Sequence, residues 1–215
     1  MKKINWQYTL GEILIVIIGI TIAFSMNKCS ELKTNETLKT QYLSNIKQDI
    51  EADKKTLQEN ANAIGAKIQT LNGFMPLLNT ENPEKIKRTQ ELFSVFGLSS
   101  FFPKDITYQT MVNSGDYKLI DDFKIKSAIE SHYSSYKSIL KDYERLEIIH
   151  REYLGDYLIN HVNYDLMRQG QFAFQDETLL KNILQSIYGA LIIKKNATER
   201  GIENCNGMLS TLSTY

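Results

Sequence analysis

The chain has 215 residues, room for one domain of ordinary size and an anchor. Lysine plus arginine and aspartate plus glutamate balance at 25 each, so there is no basic excess for nucleic acid and no acidic block for a solvating tail. Only 3 prolines and 11 glycines punctuate it, which favours long helices over a many-stranded sheet; 2 cysteines, Cys29 and Cys205, are too few for a disulfide framework or a cysteine zinc site.

A basic and aromatic tail, residues 1–7, precedes an apolar run, and residues 8–27 are expected to form a transmembrane helix. Residues 13–24 carry no charge. Residues 10–26 would cover roughly 25 Å as a helix, a short span against a hydrocarbon core of roughly 30 Å. Glu12 therefore falls near one interface, with Trp6 and Tyr8 at headgroup level and Asn27 and Lys28 closing the other end. Lys28 stands before Cys29, where a lipoprotein signal needs a small residue. Lys2, Lys3 and the sequence Ala23-Phe24-Ser25 suit a cleaved signal peptide, but the long region ending in Glu12 favours a retained span. The favoured topology is single-pass in a bacterial inner (cytoplasmic) membrane, N-terminus cytoplasmic and large domain extracytoplasmic.

Glu12, Gly19 and Ala23 fall on one helix face, at i, i+7 and i+11. Small residues let two spans approach, and a carboxylate there can hydrogen-bond across the contact, so this face is the candidate for packing and oligomerisation. The competing reading has Glu12 snorkelling to the headgroups and Gly19 incidental.

A stalk-like helix is expected over 30–72, from Leu43, Ile46, Ile50, Leu57, Ile64, Ile68 and Leu71 at helical steps, with Asp49, Glu51, Asp53, Lys54 and Glu59 on a solvated face. Pro83 and Glu84 suit the start of a short helix over 83–96. The loop "GLSSFFPKD" carries Phe101 and Phe102, expected to fold back on the core. A second short helix, 105–113, leads to "NSGDYKLIDD", where Ser114, Gly115 and Asp116 read as a structural turn. The longest patterned segment, 122–167, keeps a seven-residue rhythm through Ile129, Tyr133, Tyr136, Leu140, Tyr143, His150, Leu154, Tyr157, His161 and Tyr164. "RQGQFAFQ" breaks it, and a C-terminal helix is expected over 176–213. The predicted fold is all-α: a transmembrane helix, then a helical domain over 28–215 built as an elongated antiparallel bundle.

His132, His150 and His161 share a helix face, but gaps of roughly 27 Å and 16 Å along one helix are too wide for a single metal ion. Glu147 and His150 form one E-x-x-H without the second copy that a di-iron site uses. Phosphate-loop, dinucleotide and serine-hydrolase signatures are missing from the sequence. No catalytic, cofactor or metal residues are assigned.

The opening "GEILIVIIGITIA" after an aromatic, and "TYQTMVNSGDYKLIDDFKIKSAIESHY" downstream, resemble an uncharacterised bacterial family of small single-pass membrane proteins, a domain of unknown function. Its second signature, a Ser-Gly-Asp/Asn turn followed by Leu-Ile, corresponds to Tyr108, Ser114, Gly115, Asp116, Leu119 and Ile120. "FSMNKCSE" departs from the family's usual tryptophan-containing continuation. The resemblance implies an integral membrane protein and carries over no activity or ligand residues. The expected role is a membrane-anchored interaction or scaffold protein, a subunit of an envelope assembly. Its expected partners are membrane lipid and either a second copy or another membrane protein, with no nucleic acid and no cofactor. One alternative is a membrane-coupled sensor or ion-pathway component in which Glu12 titrates within an oligomer; another is an enzyme using His150 or His161.

Overall fold

The computed structural model describes residues 6–214, with side chains from Leu10 onward. Lys2 and Lys3 of the tail, and the rings of Trp6 and Tyr8, lie outside what is described. The protein is all-α. Among the described residues the one departure is an isolated antiparallel bridge, Val162 to Phe174.

Helix α1, Trp6–Phe74, is continuous through the expected span and stalk. No proline precedes Pro76, and Pro76 sits in the 3₁₀ turn Met75–Leu77 that ends the helix, where it removes a backbone donor. Helix α2, Glu84–Val95, begins after Pro83, with the Asn82 side chain accepting the Glu84 amide at 2.9 Å. Helix α3, Ile106–Ser114, leads through Gly115 to a 3₁₀ turn, Asp116–Leu119. Asp122 then caps α4, Phe123–Ile149, by accepting the amides of Lys124 and Ile125. A π-helical turn, His150–Leu154, joins α4 to α5, Gly155–Asn160. Asn163 caps the short α6, Tyr164–Arg168, and α7 runs as one helix over Glu177–Thr214.

Contacts sort the chain into two units. The first holds the chain up to Ile46 with Thr107–Asp121. Within it the Tyr42 hydroxyl donates to Asp116 at 2.9 Å, and the rings of Tyr108 and Tyr117 meet edge to face at 5.8 Å.

The second unit, Lys47–Ile106 with Asp122–Tyr215, is built on three helices. Tyr136 meets Cys205, Ile139 meets Gly201 and Tyr143 meets Thr198, so α4 and α7 run antiparallel. Tyr136 faces Asp53 and Tyr143 meets Asn60, so α4 runs in the same direction as this part of α1. The core is continuous through Ile64, Leu71 and Phe74 of α1, Leu92 and Val95 of α2, and Leu184, Ile187 and Leu191 of α7. Past α5 the chain turns back, with the Asn163 amide on the Ala173 carbonyl and the Gln175 amide on the His161 carbonyl.

Three expectations need correction. The helix expected over 122–167 ends at Asn160: His161 leaves helical geometry at φ −125 and Asn163 takes up the cap of a new helix. Leu140 is exposed, with Ile139 and Leu146 buried in its stead, because a 3.6-residue helix drifts off a strict seven-residue seam. Phe101 is buried as expected, but Phe102 is 83% exposed.

At Gly201 α7 comes close to both α4 and α1: an added Cβ would meet Ile139 Cδ1 at 2.9 Å and Leu57 Cδ1 at 3.0 Å. Those are tips of flexible side chains, so one methyl is accommodated and a larger side chain is not. Gly201→Leu is expected to lower stability by about 1–3 kcal/mol through overpacking. Gly65→Ala, with open space around the new Cβ, should raise it by up to about 1 kcal/mol. Urea unfolding followed by circular dichroism separates the two; equal effects of the two variants would contradict this packing.

Candidate functional site

Four groups of residues could carry function, and two of them were anticipated in the sequence. Glu12, Gly19 and Ala23 lie on α1, and all three are exposed. Nothing stands within 4 Å of a Cβ added at Gly19.

The turn at 114–116 is built around Gly115 at φ 77, a conformation that disfavours any side chain. The Ser114 hydroxyl donates to Asp116 at 2.7 Å and accepts the Asp116 amide at 3.3 Å. With Tyr42 donating as well, the Asp116 carboxyl is held below its usual range, first by Ser114 and then by Tyr42. The turn closes on its own residues and on Tyr42 of α1.

The third group is a buried polar layer that the sequence did not announce. Asp53, read as part of a solvated face, is 1% exposed. Its carboxylate accepts the Lys104 amide at 3.0 and 3.1 Å and faces the Tyr136 hydroxyl. Burial raises its pKa despite these donors. Thr198 gives its hydroxyl proton to the Lys194 carbonyl at 2.7 Å, so Tyr143 must donate to Thr198, also at 2.7 Å. The Asn60 amide donates to Tyr143 and, at 3.0 Å, to the Ser100 carbonyl. Lys194, fully buried, donates to the Ser99 carbonyl and sits 4.0 Å over the Tyr143 ring. Desolvation pulls its pKa down to about 8. Lys67 donates to the Gly97 carbonyl.

The three histidines are scattered through this region. His132 packs edge to face on Tyr133 and Tyr136, and neither ring nitrogen makes a hydrogen bond of ordinary geometry among the described residues. His150 begins the π turn with Nε2 unpartnered there. His161 stacks on Tyr157 at 5.2 Å. Desolvation holds His132 and His150 down to about 4. No cluster of three or more His, Cys, Asp or Glu side chains placed to hold a metal occurs among the described residues. Both cysteines are free thiols, Cys29 exposed and Cys205 buried.

The fourth group is a groove of about 630 Å³ along α4, the π turn and α7. Arg145, Ile149, Tyr153, Leu179, Gly189 and Ile193 are among the residues that line it. Its size and its apolar walls with a few polar groups are those of a ligand site. π turns are rare and concentrate at functional places. One sequence signal could have revealed it: α7 doubles its apolar residues at 179–180, 183–184 and 190–193, giving a second stripe beside the core one.

An all-α fold with one N-terminal helix long and apolar enough to cross a membrane defines the class. The chain belongs to a family of unknown function, DUF6090, which it matches over residues 12–187, from Glu12 through the 114–116 turn and into α7. No curated protein and no solved structure matches it.

His132 and His150 bind protons more weakly folded than unfolded, so protonation favours the unfolded chain. Stability is therefore expected to fall as pH drops from 6.5 through about 4. In urea midpoints measured across that window, His132→Phe should flatten the slope, and an unchanged slope would remove His132 as its source.

Proposed function

We propose that the protein is a membrane-anchored helical interaction protein, a subunit of a cell-envelope assembly in the bacterial cytoplasmic membrane. In this reading residues 8–27 are a permanent single-pass anchor. The N-terminus is cytoplasmic and the helical part stands on the outer side. The supporting observation is the exposure of the apolar side chains in that part of α1: Ile15 is 71% and Phe24 70% exposed, with no surface among the described residues to cover them. In water such a helix leaves about three turns of apolar surface solvated, at a cost of about 25 cal/mol per Å². Hydrocarbon removes that cost, and the backbone polar groups are already satisfied within the helix.

The work of such a protein is binding. Glu12, Gly19 and Ala23 present one face to a second copy or to another membrane protein, where small residues let helix backbones pack closely. The α4–α7 groove offers a second surface for binding.

Three measurements test the anchor, its topology and its face. The full chain should stay with membranes through alkaline carbonate extraction, and protease added to spheroplasts should digest the part after Lys28; release into the carbonate supernatant would refute the anchor, and full protection would reverse the topology. Gly19→Leu should shift the detergent-solubilised protein toward a smaller species in light scattering, and an unchanged mass would remove that face as the contact.

A further inference from the structure

The α4–α7 groove has the shape and charge of a site for one particular class of molecule. Leu179 and Ile193 mark its ends on α7, fourteen residues or roughly 20 Å apart along the helix axis. Ile148, Ile149 and Ile183 make its sides apolar, so water held there has few partners. Only one charged side chain lines it, Arg145, which lies opposite the Ile193 end in the antiparallel register. Arg145 forms no ion pair among the described residues, whereas its neighbour Asp142 is taken by Arg200 at 2.7 Å.

The backbone around the groove departs from what packing alone requires. The helix widens into the π turn beside it, bringing Tyr153 to the wall. Gly189 sits in the interior of α7, where glycine weakens a helix by about 1 kcal/mol relative to alanine. Nothing lies within 4 Å of a Cβ built there, so no neighbour in the fold demands a glycine. Gly189 is exposed on the groove's lining, and its missing side chain leaves that stretch of backbone open to close approach.

We propose that this groove binds a long-chain fatty acid, its alkyl chain along the isoleucine walls and its carboxylate paired with Arg145. The long axis accepts an extended chain, and the single unpaired guanidinium at one end accepts the planar carboxylate two-pronged. A phosphate-headed lipid would place a larger head beside Arg145 alone, and a neutral alcohol would leave the guanidinium without a counter-charge. This names a ligand for the interaction role proposed above but does not depend on the anchor.

The test uses the full-length protein in phosphatidylcholine nanodiscs with a photoactivatable palmitate analogue, and cross-linked peptides are mapped by mass spectrometry. Labelling is expected within residues 145–153 and 179–193, displaced by palmitate and not by hexadecanol. Gly189→Leu, which grows into open space, should abolish it while leaving the thermal melt unchanged or raised. Arg145→Gln should weaken palmitate competition about tenfold, the loss of one charge-assisted contact. Three results would overturn the assignment: absence of label in the groove, groove label indifferent to both variants, or hexadecanol competing as well as palmitate. Cross-links joining two copies through this groove would replace the fatty acid with a second chain. Label on residues 10–26 reports on the anchor separately, so either reading can fail alone.

Discussion

The second unit depends on how it satisfies one irregular stretch of backbone. Residues 97–104 lie against the bundle without a helical hydrogen-bond ladder of their own. Their polar groups are met by side chains: Lys67 on Gly97, Lys194 on Ser99, Asn60 on Ser100 and Asp53 on the Lys104 amide. Each group left unmet in that environment would cost about 1–3 kcal/mol. Phe101 closes the arrangement, its ring edge-on to Tyr136 at 5.3 Å. Lys194 shows the tension involved. Its ammonium is stripped of water, which pulls its pKa down to about 8 against the raising charge of Glu147, while the Ser99 carbonyl and the Tyr143 ring give it partners in place of water.

These ties also fix register. Asn60 of α1, Tyr143 of α4 and Thr198 of α7 form one donor chain with its direction set, ending on the Lys194 carbonyl. Sliding any helix by one residue would rotate its member about 100° out of the chain and leave a buried group alone. An apolar seam of leucine and isoleucine tolerates such slips far better. The polar layer therefore specifies alignment where Ile64, Leu71 and Leu184 supply bulk burial.

How much of this was legible follows from what each signal measures. Periodicity reports burial of apolar side chains, so α1, α4 and α7 and most of their buried residues could be read directly. Proline and glycine placement marked the start of α2 at Pro83 and the turn at Gly115. Asp53, Asn60 and Lys194 were hidden because a polar side chain pointing inward looks, in sequence, like one pointing out. Only the partner loop makes the difference, and Ser100, Lys104 and Ser99 lie 40, 51 and 95 residues from Asn60, Asp53 and Lys194, so the fold and no local pattern brings them together. The π turn was concealed for a related reason. Leu146, His150 and Leu154 step by four and four, and that spacing passes for ordinary helix within a seven-residue rhythm. Of the candidate sites, the Ser114–Asp116 turn was readable as local chemistry, whereas the groove depends on two helices meeting.

The groove and the polar layer are two consequences of one helix. On α7 the stripe through Leu184, Ile187, Leu191, Lys194 and Thr198 faces the bundle and is buried. The adjoining stripe through Leu179, Asn182, Ser186, Gly189 and Ile193 has no helix over it and borders the groove. A helix with one stripe committed to a fixed polar register cannot rotate to bury the other, so the second stripe stays open unless the neighbouring helix widens to meet it. α4 instead breaks its regular winding at His150–Leu154, beside that stripe, and leaves Arg145 without a partner at its edge. The register that Asn60, Tyr143 and Thr198 impose is thus what holds that apolar surface in place.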